Sequence, residues 1–180
     1  MKVQTQGLKL LGMASIAAAA AALAIGLSGP AVATTATQFV SEILTRSYFE
    51  QILVNPRVGE ADDGVVTAYG HKVRIRARDP SDVYVVKNTV APGGQSGWHT
   101  HPGPSVVSVK SGTATVYSGD DPSCTGVTYP AGTGFIDEGG AHVHLVRNEG
   151  TTTLELIAFQ IVPTNVARRQ DAANPGYCPF

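Results

Sequence analysis

Four of the five histidines in this 180-residue chain fall into two His-x-His pairs, His99-Thr100-His101 and His142-Val143-His144. Side chains two apart on a strand point to the same face, so each pair can aim two imidazoles at one spot. Neutral imidazole is the commonest protein ligand for first-row metals such as Zn, Fe, Cu and Ni. Two pairs on neighbouring strands would supply three or four nitrogens to one ion. A lone strand histidine is ordinarily a hydrogen-bonded residue of the sheet. The pairing of four is what argues for a site.

Other residues near the pairs admit both roles and plain structural ones. Trp98 can wall a pocket or fill the core, and it points to the face opposite its neighbour His99. Asp137 and Glu138 are either partners for an imidazole N–H or part of an exposed turn. Glu155 faces outward by alternation with Leu154 and Leu156. Cys124, in "SGDDPSCTG", and Cys178, in "NPGYCPF", are the only cysteines. Neither has a histidine or second cysteine at ligand spacing, which argues against a thiolate metal site or nucleophile. In an exported chain such a pair is expected to be a disulfide, here one that pins the C-terminal tail over a loop.

Export itself is expected from residues 1–33. Lys2 and Lys9 precede an apolar and small run from Leu10 to Leu27, and Ala31-Val32-Ala33 fits a signal-peptidase site. The competing assignment is a membrane anchor, since the run is nearly long enough to span a bilayer. Cleavage after Ala33 leaves a chain the size of one domain, secreted or extracytoplasmic and free of the membrane. The leader holds two lysines and no acid, so the remainder carries 11 bases against 14 acids. That balance argues against nucleic acid as a partner. The pair Arg168-Arg169 is too short to count as a basic cluster.

The elements that must position the histidines read as strands. Residues 34–64 form a lead-in: 37–54 fits a short helix or a first strand, and "NPRVGEADDG" (55–64) is loop. From 65 the pattern alternates, with Val73, Ile75 and Ala77 on one face and Lys72, Arg74, Arg76 and Arg78 on the other, a solvated face. Residues 81–94, 105–119, 126–137, 141–150 and 151–163 follow as short strands bounded by Gly and Pro, with a hairpin expected at Ser111-Gly112. Strands at this spacing make an all-β barrel or sandwich over 65–163, followed by an irregular tail, 164–180.

Gly93, five residues, His99-Thr100-His101, three residues, Ser105, six residues and Gly112 match the first motif of the cupin superfamily at every spacing. Ser105 stands in the slot of the motif's Glu. His144-Leu145-Val146-Arg147-Asn148 matches the His-to-Asn end of the second motif, with one extra residue before His144 that suggests a bulge. The sequence therefore resembles the cupins across residues 81–162. The resemblance implies an antiparallel β-barrel of the double-stranded jelly-roll type, with a divalent metal near one end of its interior. Its ligands would be His99, His101 and His144, with His142 as a further candidate. Ser105 and Asn148 would sit beside them, and the ion would be Fe, Mn, Zn or Ni. A small-molecule ligand and a metal-dependent, dioxygenase-like reaction are the implied function. The alternative is a non-catalytic binding or structural cupin, which the missing Glu favours. Dimerisation is common in the superfamily, although no segment here specifies an interface.

Overall fold

The computed structural model describes residues 33–54, 65–68 and 71–180, so the expected leader lies outside the described residues except for Ala33. Among the described residues there is no helix. The chain runs through β1 (Thr37–Phe49), β2 (Ile52–Leu53), β3 (Val65–Ala68), β4 (His71–Arg74), β5 (Arg76–Ala77), β6 (Ser81–Gln95) and β7 (His99–Thr100). It continues through β8 (Ser105–Ser111), β9 (Thr113–Ser118), β10 (Val127–Pro130), β11 (Gly134–Asp137), β12 (His144–Arg147), β13 (Leu154–Pro163) and β14 (Gln170–Asp171).

One antiparallel sheet holds ten of these strands and curls into a nearly closed barrel. Its path is β10-β9-β12-β6-β13-β8-β11, with β1 added to β6 and β14 added to β7, which itself pairs with β12. The alternation read from the sequence explains which face is inside. In β13, Leu154, Leu156, Ala158, Gln160 and Val162 are buried, and in β8 Ser105, Val107 and Val109 are. These meet Tyr84, Val86, Val90, Ala114 and Val146 in the main core. Glu155 faces outward as expected and bonds Lys87 and Lys110, each at 2.9 Å.

Residues 37–49, for which helix and strand were both open, form a strand. β1 pairs with β6 along its whole length, from Thr37 opposite Gln95 to Phe49 opposite Ser81. Most of its side chains are exposed; Phe39 packs on the core and Arg46 binds the buried Asp82 at 2.7 Å. Arg74 to Arg78 alternate as read, the arginines exposed and Ile75 and Ala77 half-buried.

Two local expectations are corrected. The turn at Gly112 does not close a hairpin: β8 pairs with β13 and β11, whereas β9 pairs with β10 and β12. Gly112 carries the chain from one side of the barrel to the other at φ +75°, where a Cβ would also stand 2.9 Å from the Thr153 carbonyl oxygen. The extra residue before His144 is not a strand bulge either. β12 pairs with β9 in unbroken register from His144, and residues 138–143 take up the length as a turn.

The tail is less irregular than its composition suggests. β14 runs antiparallel to β7, with Gln170 opposite Thr100 and Asp171 opposite His99. Beyond it, the sulfurs of Cys124 and Cys178 stand 1.99 Å apart, with Cα atoms 5.3 Å apart. Cys178 packs with Trp98, Tyr117 and Leu145 in a second, smaller core. A cross-link closing 54 residues stabilises by about 4 kcal/mol in the chain-entropy model. A Cys124→Ser/Cys178→Ser variant is therefore expected to unfold at lower guanidinium than the oxidised parent, by about that free energy. An unchanged midpoint would show that the tail needs no cross-link.

Candidate metal centre

Three of the four paired histidines converge inside the barrel. His99 sits on β7 directly opposite His144 on β12, and His101 follows β7 by one residue. Their ring centroids are 4.2 Å (His99–His144), 4.9 Å (His99–His101) and 5.6 Å (His101–His144) apart. One nitrogen from each lies within 4.8 Å of the others, so the cluster could hold a metal ion. All three rings are buried.

The fold fixes the ring faces through backbone carbonyls. His99 Nδ1 lies 2.9 Å from the Gly97 carbonyl oxygen and His101 Nδ1 lies 2.5 Å from that of Arg168. A carbonyl only accepts, so both Nδ1 atoms carry the proton and both Nε2 lone pairs are left for another partner. His144 Nδ1 has no hydrogen-bond partner but lies 3.5 Å from Asp137 Oδ1. Donating the distal N–H to a carbonyl or carboxylate is how metal-bound imidazoles are usually held.

Asp137 is the residue whose role the sequence left most open. It ends β11, is 3% exposed, and Oδ2 is buried without a hydrogen-bond partner. The turn that follows lies tightly on the loop after His101: at Gly139 (φ +74°) a Cβ would be 2.3 Å from the Gly103 carbonyl oxygen. Thr100 Oγ1 donates to the Gly140 carbonyl across the same junction, at 2.7 Å. Glu138 is exposed.

The remaining candidates separate. His142 lies in the turn, outside the three-histidine cluster but in a second group, with Asp137 and His144, whose ligand atoms also lie within 4.8 Å of one another. Its Nε2 is 2.9 Å from Ser118 Oγ and its Nδ1 3.4 Å from Asp137 Oδ1. Ser105 does face the cavity, where Gln160 Nε2 donates to its Oγ at 3.0 Å. Trp98 is fully buried in the smaller core and does not line the cavity. Asn148 does not reach it either: its Nδ2 donates to the carbonyls of Val90 and Thr152 at 2.9 and 2.8 Å, locking the turn into β13.

The cavity, about 40 Å³, is also lined by Phe39, Asn88, Gln160, Arg168 and Arg169, which the sequence reading missed. It has room for an ion and a few heavier atoms, since one water needs about 10–15 Å³. Phe39 and the two arginines come from segments far from the histidine pairs, and only the folding-over of β1 and β14 brings them in.

Burial dominates the electrostatics. It pushes His99 well below the ordinary 6.5, with His144, Arg169 and His101 adding to the effect and the Gly97 carbonyl opposing it. His144 is lowered to about 4 by burial, against the pull of Asp137. His101 is lowered by burial too, opposed by the Arg168 carbonyl and then Asp137. Neutral imidazole is the form that binds metal. In the unfolded chain each imidazole titrates near 6.5. Between 6.5 and about 4 the unfolded chain therefore takes up protons that the folded one refuses. Stability of the metal-free protein is expected to be full above 6.5 and to fall as pH drops toward 4. Denaturant midpoints at pH 7, 5.5 and 4.5 check this, and a His144→Gln variant should show a shallower slope. A midpoint that rises on acidification would contradict it.

Residues 87–160 match the family model described as a cupin domain. No curated protein sequence matches significantly. Among solved structures, a conserved protein with a double-stranded β-helix domain from Klebsiella pneumoniae is similar at 24% identity, over 67% of this chain and 90% of that one, with a TM-score of 0.42. A cupin domain from Bordetella pertussis is similar at 24% identity over 44% of this chain and 80% of that one, TM-score 0.38. An oxalate oxidase is similar at 23% identity over 46% of each chain, TM-score 0.39. The chain spans 65%, 67% and 46% of the length of three solved chains that it matches. The match, with the jelly-roll strands and the three converging histidines that lie within it, makes residues 87–160 of this chain a cupin domain.

Proposed function

We propose that the protein is an exported cupin that binds one divalent metal ion through His99, His101 and His144 and acts on a small polar ligand beside it. The observation that carries this reading is the arrangement of three buried, neutral imidazoles around one small cavity, two with Nδ1 committed to backbone carbonyls. The donor set fits Fe, Mn, Zn or Ni. Three protein ligands leave coordination positions open, and an ion held this way supplies Lewis acidity at a bound ligand. The protein's own share is to hold the imidazoles neutral, to exclude bulk water and to position the ligand. Asp137 orients His144 and sets one negative charge near the centre. The leader-like residues 1–33 and the cysteine pair at disulfide distance support export.

A metal-dependent reaction of oxygenase type is the favoured activity. Non-catalytic ligand binding is the second reading, and the neutral Ser105–Gln160 pair at the slot of the family's Glu favours it. The full chain, exported and purified without a His-tag or chelator, is expected to carry close to one ion per molecule by elemental analysis. His99→Ala/His101→Ala should lose the ion while keeping a cooperative unfolding transition. No metal in the parent, even after reconstitution, would overturn the reading. Asp137→Asn is expected to weaken metal affinity by roughly 10–100-fold, as other outer partners of metal-bound histidines do. A competitive chelator titration measures it; unchanged affinity would remove Asp137 from the centre.

A further inference from the structure

Arg168 reaches the cavity from the tail, just before β14. Its guanidinium donates from Nη1 to Gln160 Oε1 at 3.3 Å and from Nη2 to Ser41 Oγ at 2.9 Å, both neutral acceptors. No carboxylate lies within ion-pair distance of it among the described residues. Asp171, the nearest acid in sequence, is taken by Arg169 at 2.8 Å. Asp137, the acid that lines the cavity, faces His142 and His144 at 3.4 and 3.5 Å. The Arg168 side chain is only partly open to solvent, and both burial and the charge of Arg169 work against its charge.

A half-buried cation without a counter-ion is costly unless an anion completes it. Guanidinium also stays charged under all working conditions, so it cannot relieve that cost by losing a proton. The three imidazoles beside it are neutral and supply no negative charge. We propose that Arg168 is the anion-binding group of this site, and that the ligand it receives is a small carboxylate. The planar fork of the guanidinium matches the two oxygens of a carboxylate. A cavity of about 40 Å³ admits only a few atoms beyond an ion, which favours a short acid over a larger ester or a nucleotide. Gln160 ties this subsite to the histidines: one end accepts from Arg168 and the other lies 3.3 Å from His101 Nδ1.

The inference deepens the proposed function, since it assigns the ligand class of that same cavity, and its test separates the two. Acetate, glycolate and inorganic phosphate, with acetamide as the uncharged analogue of acetate, are titrated by calorimetry into the full exported chain, both metal-loaded and metal-free. The parent is expected to bind acetate or glycolate at least tenfold more tightly than acetamide and phosphate, in the metal-free protein as well. Arg168→Gln should abolish that preference while metal content and melting temperature stay near the parent's. Arg168→Lys keeps the charge without the fork. It is expected to bind the carboxylates more weakly than the parent but still above acetamide, which keeps the test open if the Gln variant does not fold. Equal binding of acetate and acetamide by the parent, preference for phosphate, or a carboxylate preference that survives in Arg168→Gln would each overturn the proposal. Loss of metal binding with the carboxylate preference intact would overturn the metal reading and leave this one standing.

Discussion

Packing three uncharged imidazoles against one another inside a barrel is the constraint on which the rest of this site depends. Each ring brings a donor and an acceptor, and a buried polar atom without a partner costs about 1–3 kcal/mol. The fold meets that cost at two of the rings with backbone carbonyls, while His144 Nδ1 makes no hydrogen bond and faces Asp137 at 3.5 Å. Gly97 turns its carbonyl onto His99, the tail turns the Arg168 carbonyl onto His101, and the end of β11 presents Asp137 toward His144. Two neighbours close in the chain and one remote tail segment are thereby committed to the rings. What remains unpaired, chiefly the inward lone pairs, is what makes the cluster chemically useful.

That commitment explains why the C-terminal tail behaves as part of the barrel. The β7 strand is only two residues long and would be a weak ladder on its own. It pairs with β12 on one side and β14 on the other, while Ala172 N–H donates to the Trp98 carbonyl at 2.9 Å. Trp98, pointing away from the cavity, is clamped beneath Tyr117, Leu145 and the Cys178 end of the tail. Phe180 then stacks beneath the Arg147 guanidinium, 3.8 Å from its ring centre. The histidine strand is thus held by hydrogen bonds along its edges and by packing on its outer face. Position in the site and anchoring of the tail are one structural problem.

The sequence was most informative where period and spacing carry the signal. Alternation of Leu154 and Leu156 with Glu155 gave the buried face of β13, and the His-x-His spacing singled out the histidines, three of which converge. It was least informative where contacts are long in sequence. Arg168-Arg169, passed over as a short basic pair, line the cavity because β14 folds back some seventy residues to β7, a pairing that no local pattern encodes. Asp137 ends a short strand before two glycines, and such a strand end reads equally as an exposed turn. His142 shows how spacing depends on the strand, since it falls outside the three-histidine cluster and groups with Asp137 and His144 instead. The two-residue relation to His144 places both on one face only if both lie in a strand, and β12 begins at His144.

Ser105, the departure from the family motif, is resolved by looking along the sheet rather than along the chain. On β8 it is paired with Gln160 of β13 on one side and Asp137 of β11 on the other, so the three side chains form one buried rung facing the histidines. The position that holds a carboxylate in the motif is neutral here, but a carboxylate stands one strand over, beside a different histidine. The carboxylate near the histidines is therefore Asp137, beside His144. The fold keeps one acid to steady a ring and leaves one base facing the cavity.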